Sequence, residues 1–148
     1  MHCRLPHSIA SVRQLGMAAS SVLDMASQLP ASRWEPSPDG IVGSGNQVYT
    51  VAAADLFDNR HFSMATAEAS ATDPQQRLVL ETCGTTMHHA ALTQVPQSRN
   101  VGVAVGIHSI EWKQVCFNIP AGRTVFAGFY GLHFVSGRVS YALGLQGP

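Results

Sequence analysis

The stretch "ATDPQQRLVLETC", Ala71 to Cys83, sets an acid, a proline, two glutamines and an arginine at the head of an apolar run. Local physics predicts that a helix begins here. Asp73 can accept from the first free backbone N–H groups, and Pro74 occupies the position where a missing N–H costs nothing. The helix is expected to run from Asp73 to about Ala90, with Val79, Cys83, Met87 and Ala90 along one face and Leu80 beside them. Gly84, Thr85 and Thr86 weaken its middle.

Upstream, "DLFDNRHFSM" sets Leu56, Phe57 and Phe62 among polar residues, which predicts an irregular segment pinned by its aromatics. Before it, Leu29 to Gln47 is rich in proline, glycine and serine and reads as a long surface loop holding Trp34. Ser11 to Ala19 carries Val12, Leu15 and Ala19 at helical spacing, with Ser11 as the cap and Gly16 as a weak point. Downstream, in "NVGVAVGIHS", Val101, Val103, Val105 and Ile107 alternate with small residues, the pattern of a strand buried on both faces of an α/β sheet. A loop is expected through Pro120. "GLHFVSGRVSYALGL" then predicts a helix with Leu132, Val135, Val139 and Leu143 inward and Gly137 allowing close packing. There is no internal repeat or low-complexity tract.

The 148 residues, 45% of them hydrophobic, suffice for one domain with a sizeable core, 1–148. Formal net charge is zero, so no basic face for nucleic acid or anionic lipid can be assembled. Cys3, Cys83 and Cys116 are odd in number and widely spaced, which suggests neither a disulfide framework nor a zinc site. A reducing, cytoplasmic setting is expected. No stretch is long and apolar enough to span a bilayer. The acid-free N-terminus is only faintly like a transit peptide, and Pro6 weakens that reading.

Few side chains suggest chemistry. Cys83 falls on the apolar face of its helix and reads as a buried structural thiol, while Cys3 and Cys116 read as plain free thiols. His88 and His89 diverge by about 100° on a helix and cannot share a metal as an i, i+4 pair would. His108 and His133 lie beside predicted buried elements without an identifiable partner. Neither Asp55 with Asp58 nor Glu81 with Asp73 makes a general acid–base pair, since nothing indicates a shared cleft. "GSGNQ", Gly43 to Gln47, lacks the strand and glycine spacing of a phosphate loop. Arg138, the charged residue of the last helix, must reach water or pair.

Four segments in order resemble the N-terminal part of a β-ketoacyl synthase domain of type I polyketide and fatty-acid synthases. They are "CRLP" (Cys3 to Pro6), "DLFDNRHF" (Asp55 to Phe62), "DPQQRLVLET" (Asp73 to Thr82) and "SGRVSYALGLQGP" (Ser136 to Pro148). "LPASRW" at Leu29 to Trp34 and the "VGVAVGI" strand fall where that family has them. The resemblance implies an α/β, thiolase-like fold in which Asp73, Gln75, Gln76 and Arg77 support the scaffold. It also implies an activity: a cysteine takes an acyl group from a carrier protein, and two histidines assist decarboxylative condensation of acyl thioesters. Implied with it are phosphopantetheine-linked substrates, an acyl carrier protein, a ketosynthase dimer partner, and a place for Arg138 near the acyl channel and dimer interface.

The family's first strand and its Asp-Thr-Ala-Cys-type nucleophile turn find no match between Met1 and Pro148, so the expectation is an incomplete version of the fold. None of the three cysteines or seven histidines matches the catalytic set. No catalytic, cofactor-binding or metal residue is therefore carried over, and the chain by itself is expected to be inactive. His7 stands where the family usually has glycine, and "GTTMHHAAL" replaces a Trp-Glu-Ala-Leu continuation of the helix. Losing a large aromatic from a core costs about 3–5 kcal/mol where nothing refills the space. The alternatives are a non-catalytic protein that pairs with a full-length synthase through the Leu132 to Leu143 face, or a gene remnant.

Overall fold

The computed structural model describes residues 2–6, 8–28, 47–91, 100–108, 111–117 and 132–146. They fall into two compact units, Met1–Ala53 and Ala54–Pro148.

In the first unit, β1 (His2–Leu5) pairs antiparallel with β2 (Ile9–Ser11), His2 opposite Ser11 and Leu5 opposite Ile9, with an irregularity between. Helix α1 (Val12–Ser20) follows without a break because Ser11, at φ −142° and ψ 154°, both ends the strand and caps the helix. Ser11 Oγ accepts from the Gln14 N–H at 3.3 Å, while Gln14 Oε1 accepts from the Ala10 N–H at 2.9 Å. Ser11 thus satisfies a donor that the helix leaves free, and Gln14 reaches back to a donor of the preceding strand. The inward stripe runs through Leu15 and Ala18, and the expected Val12 and Ala19 are exposed. Both sets fit a 3.6-residue period, so the spacing alone could not choose between them. A second ladder joins β3 (Ser27–Gln28) to β4 (Gln47–Val48). Gln47 is therefore strand where loop was expected; residues 29–46, with the "LPASRW" segment, lie outside the described residues.

In the second unit, Asp55 to Met64 is irregular and pinned by its aromatics, as its composition predicts. Phe57 and Phe62 stack with ring centroids 5.3 Å apart, and Asn59 closes the bend by donating from Nδ2 to the Met64 carbonyl at 2.7 Å. A short alanine-rich helix, α2 (Thr66–Ala71), follows. The sequence reading did not identify it.

Helix α3 (Pro74–His89) begins as predicted: Asp73 Oδ1 accepts from the Gln75 N–H at 2.8 Å, and Pro74 opens the first turn. Pro74 also holds Asp73 extended, at ψ 131°, which separates α3 from α2. The buried stripe is Gln76, Leu80 and Met87, with Val79 and Cys83 half-buried, whereas Ala90 is exposed. The expected face was turned slightly because it was drawn through apolar residues, while a glutamine begins the real one.

Residues 101–107 pair with no strand among the described residues, contrary to the expected sheet strand. Their alternation survives: Val101, Val103, Val105 and Ile107 are half-buried, whereas Gly102, Ala104 and Gly106 are exposed. Period-two patterning chooses a face, but a ladder needs neighbouring N–H and C=O groups. Helix α4 (Trp112–Phe117) occupies part of what was read as loop. A 3₁₀ turn (Leu132–Phe134) then leads into α5 (Val135–Ala142), whose Val135 and Val139 are each 1% exposed, as their spacing predicts. Gly137 does not serve close packing, since a Cβ built there meets no atom within 4 Å.

Phe62, Met64, Ala69, Leu80 and Val139 form the core of this unit, with Phe57, Val79, Cys83, Val103, Ala142 and Leu143 packed on it. The Phe62 ring lies against α3 beside Gly84, 3.5 Å from where a Cβ would stand.

Helices α1, α3 and α5 all turn into a left-handed residue at their C-termini: Val22 (φ 53°), Ala91 (φ 53°) and Gly144 (φ 66°). After α5 the Leu145 N–H donates to the Ser140 carbonyl and the Gly144 N–H to the Tyr141 carbonyl, which closes the helix. After α1 the same bonds run from Leu23 to Ala18 and from Val22 to Ala19. Glycine adopts this conformation freely, but valine does so only under strain.

Candidate functional site

The motifs that looked separate in the sequence converge in the second unit. The "DLFDNRHF" bend supplies Phe62, the α2–α3 junction supplies Thr72, Asp73 and Gln76, and α5 supplies Arg138. A partly open cavity of about 450 Å³ is lined by Phe62, Met64, Glu68, Gln76, Phe134 and Tyr141, with Gly137 and Arg138 also on its wall. The absent side chain at Gly137 keeps that wall open.

Arg138 resolves its charge as the sequence required. Nη1 donates to Thr72 Oγ1 at 3.0 Å, and Nη2 lies 3.7 Å from Glu68 Oε1. Thr72 is fully buried, and its hydroxyl donates in turn to the Glu68 carbonyl at 2.8 Å. Helix α5 is thereby tied to the end of α2 by a polar link inside an apolar setting. Sequence reading missed Thr72, and no local pattern could have found it, because its partner lies 66 residues away.

Asp73 is 3% exposed. Burial pushes its carboxyl up from the ordinary value, the Gln75 N–H and the Arg77 cation pull it down, and Glu111 adds to the rise. Its Oδ2, like Arg77 Nε, is buried with no hydrogen-bond partner among the described residues. Trp112 donates from Nε1 to the Ala71 carbonyl at 2.9 Å, which brings α4 against this junction. A tryptophan amid a presumed loop was the signal, since a buried indole N–H normally finds an acceptor.

Cys116 is a free thiol, as expected, fully buried on α4; Cys83 is half-buried rather than fully so. Burial pushes both thiols up, and the Asp73 charge raises Cys116 further. A reactive cysteine needs the opposite setting. Cys3 lies in β1, and its side chain falls outside the described residues.

His88 and His89 are exposed at the end of α3 with ring centroids 6.1 Å apart. His108 and His133 are also exposed, the latter with its ring 4.0 Å from that of Phe134. Asp55 and Asp58 are both exposed, and Asp58 Oδ1 accepts from the His61 N–H. Glu81 follows Asp73 by eight residues, about 12 Å along a helix, too far to share a proton. Of "GSGNQ", only Gln47 lies within the described residues. No described group of three or more histidines, cysteines or acids is placed to hold a metal. None of the described helices is long and apolar enough to cross a membrane.

The ordered motifs and their convergence on one junction agree with the family comparison. The profile of the β-ketoacyl synthase N-terminal domain matches residues 1–148, and the chain belongs to that family, whose fold is thiolase-like. A mycocerosic acid synthase-like polyketide synthase of Mycobacterium tuberculosis is 36% identical over 161 aligned residues, covering 100% of this chain and 7% of that protein. The pikromycin polyketide synthase component PikAII of Streptomyces venezuelae is 32% identical over 158, covering 100% of this chain and 4% of that protein. Erythronolide synthase EryA3 of Saccharopolyspora erythraea is 33% identical over 151, covering 100% and 5%. The chain thus spans less than a tenth of each of these relatives.

Proposed function

We propose that these 148 residues are the scaffold portion of a polyketide-type β-ketoacyl synthase, its two units forming one N-terminal domain. The reaction of the whole enzyme would be decarboxylative condensation of acyl thioesters carried on phosphopantetheine, with an acyl carrier protein and a second ketosynthase as partners in the cytoplasm. The observation that carries the reading is the match of the family profile across the whole chain. In this reading the "DPQQR" segment builds the α2–α3 junction and does not touch substrate.

By themselves these residues would not transfer an acyl group. Cys83 and Cys116 are held as thiols by burial, and no cysteine lies in an Asp-Thr-Ala-Cys-type turn. Intact-mass analysis after incubation with an acyl-pantetheine thioester tests this: no adduct is expected. An adduct that prior alkylation of cysteine prevents would overturn it.

A second reading, pairing with a full-length synthase, draws on two exposed side chains of the last helical segment: Phe134 is 56% exposed and Tyr141 90%. Co-purification with a ketosynthase, lost when both become serine, is its expected result.

A further inference from the structure

Helix α4 has six residues, too few to persist on local hydrogen bonds alone. It is held at the α2–α3 junction by the Trp112 to Ala71 hydrogen bond and by the fully buried Cys116. The junction residue whose charge Cys116 feels is Asp73. Asp73 Oδ1 is taken up by the helix cap, but Oδ2 faces no donor among the described residues. Arg77 follows four residues later on α3, and its Nε is buried without an acceptor. The nearby cation favours an ionised Asp73, but a buried oxygen that no described donor reaches favours the neutral carboxyl, and burial is the larger of the two effects. Ionised, Asp73 would hold a charged oxygen without a described donor inside the junction, two residues from the Ala71 carbonyl that anchors Trp112, and buried charge lacking a partner is costly.

We propose that Asp73 is a proton-controlled latch for α4, which stays docked while the carboxyl is neutral and loosens when it ionises. Groups from each neighbouring element bear on it. Arg77, from α3, opposes the effect, whereas Glu111, one residue before α4, adds a second negative charge. Cys116, from α4, is neutral in this setting. Arg138 of α5 is engaged with Thr72 and Glu68, so its cation is shared with the Glu68 carboxylate of α2.

Trp112 reports on the latch directly. In the full chain carrying Trp34→Phe it is the remaining tryptophan, and its emission maximum can be followed from pH 3 to pH 8. The expected result is a red shift on raising the pH, with a midpoint above the ordinary aspartate value of about 3.9. Asp73→Asn, which keeps the capping oxygen but cannot ionise, should hold the blue-shifted emission throughout. Glu111→Gln should move the midpoint to lower pH and does not disturb the cap, so it serves even where Asp73→Asn folds poorly. Emission that stays constant, a red shift on lowering the pH, or a Glu111→Gln midpoint identical to that of the parent would overturn the proposal.

Discussion

Arg138 on α5 donates to Thr72 Oγ1 at 3.0 Å, yet lies 3.7 Å from the Glu68 carboxylate that would be its obvious ion-pair partner. The hydroxyl is fully buried and the carboxylate is partly in water. The neutral contact should therefore matter more than the ionic one. Thr72→Val keeps the shape but strands a guanidinium N–H, and is expected to cost about 1–3 kcal/mol. Glu68→Gln should cost less than about 1 kcal/mol, because a partly exposed pair at this distance is screened. Urea denaturation of both variants checks the order.

Gly84 offers room for a methyl group. Its Cβ would stand 3.5 Å from Phe62 and 3.8 Å from Leu143, ordinary contact distances, within the sixteen-residue helix α3. Gly84→Ala is expected to stabilise the chain by about 0.5–1 kcal/mol, read as a higher denaturation midpoint.

Val22 ends α1 in a left-handed conformation at φ 53° while its side chain is 90% exposed. Its methyl groups gain almost no burial, and its backbone bears a strain of about 1–2 kcal/mol. Val22→Asn should recover about 1 kcal/mol of this. Thermal melts of the two chains provide the comparison.

Both described cysteines have folded pKa values raised by burial above the unfolded value of about 8.5. Neutral thiols are favoured in the fold. Their contribution to stability is complete below that pH and is lost as pH rises through the folded values. Unfolding free energy should therefore decline as the pH rises above about 8.5, and the decline should be shallower in Cys116→Ala. Equal slopes would count against the burial assigned to this thiol.

What the amino-acid order determined by itself was local. The Asp73–Pro74 start of α3, the Ser11 cap of α1, the Val135 and Val139 stripe and the aromatic pinning near Phe62 each depend on neighbours within one or two turns. The ordered motifs also placed the family. Tertiary structure alone decided which of two equivalent stripes faces inward, Ala18 over Ala19 and Gln76 ahead of Ala90, because helical periodicity is indifferent to a rotation of one residue. It decided as well that 101–107 keeps its alternation without a ladder partner among the described residues, since strand pairing is a property of two segments. The Thr72–Arg138 link and the Trp112–Ala71 clamp were invisible for the same reason. Each joins groups more than forty residues apart, and which distant groups meet is settled by packing.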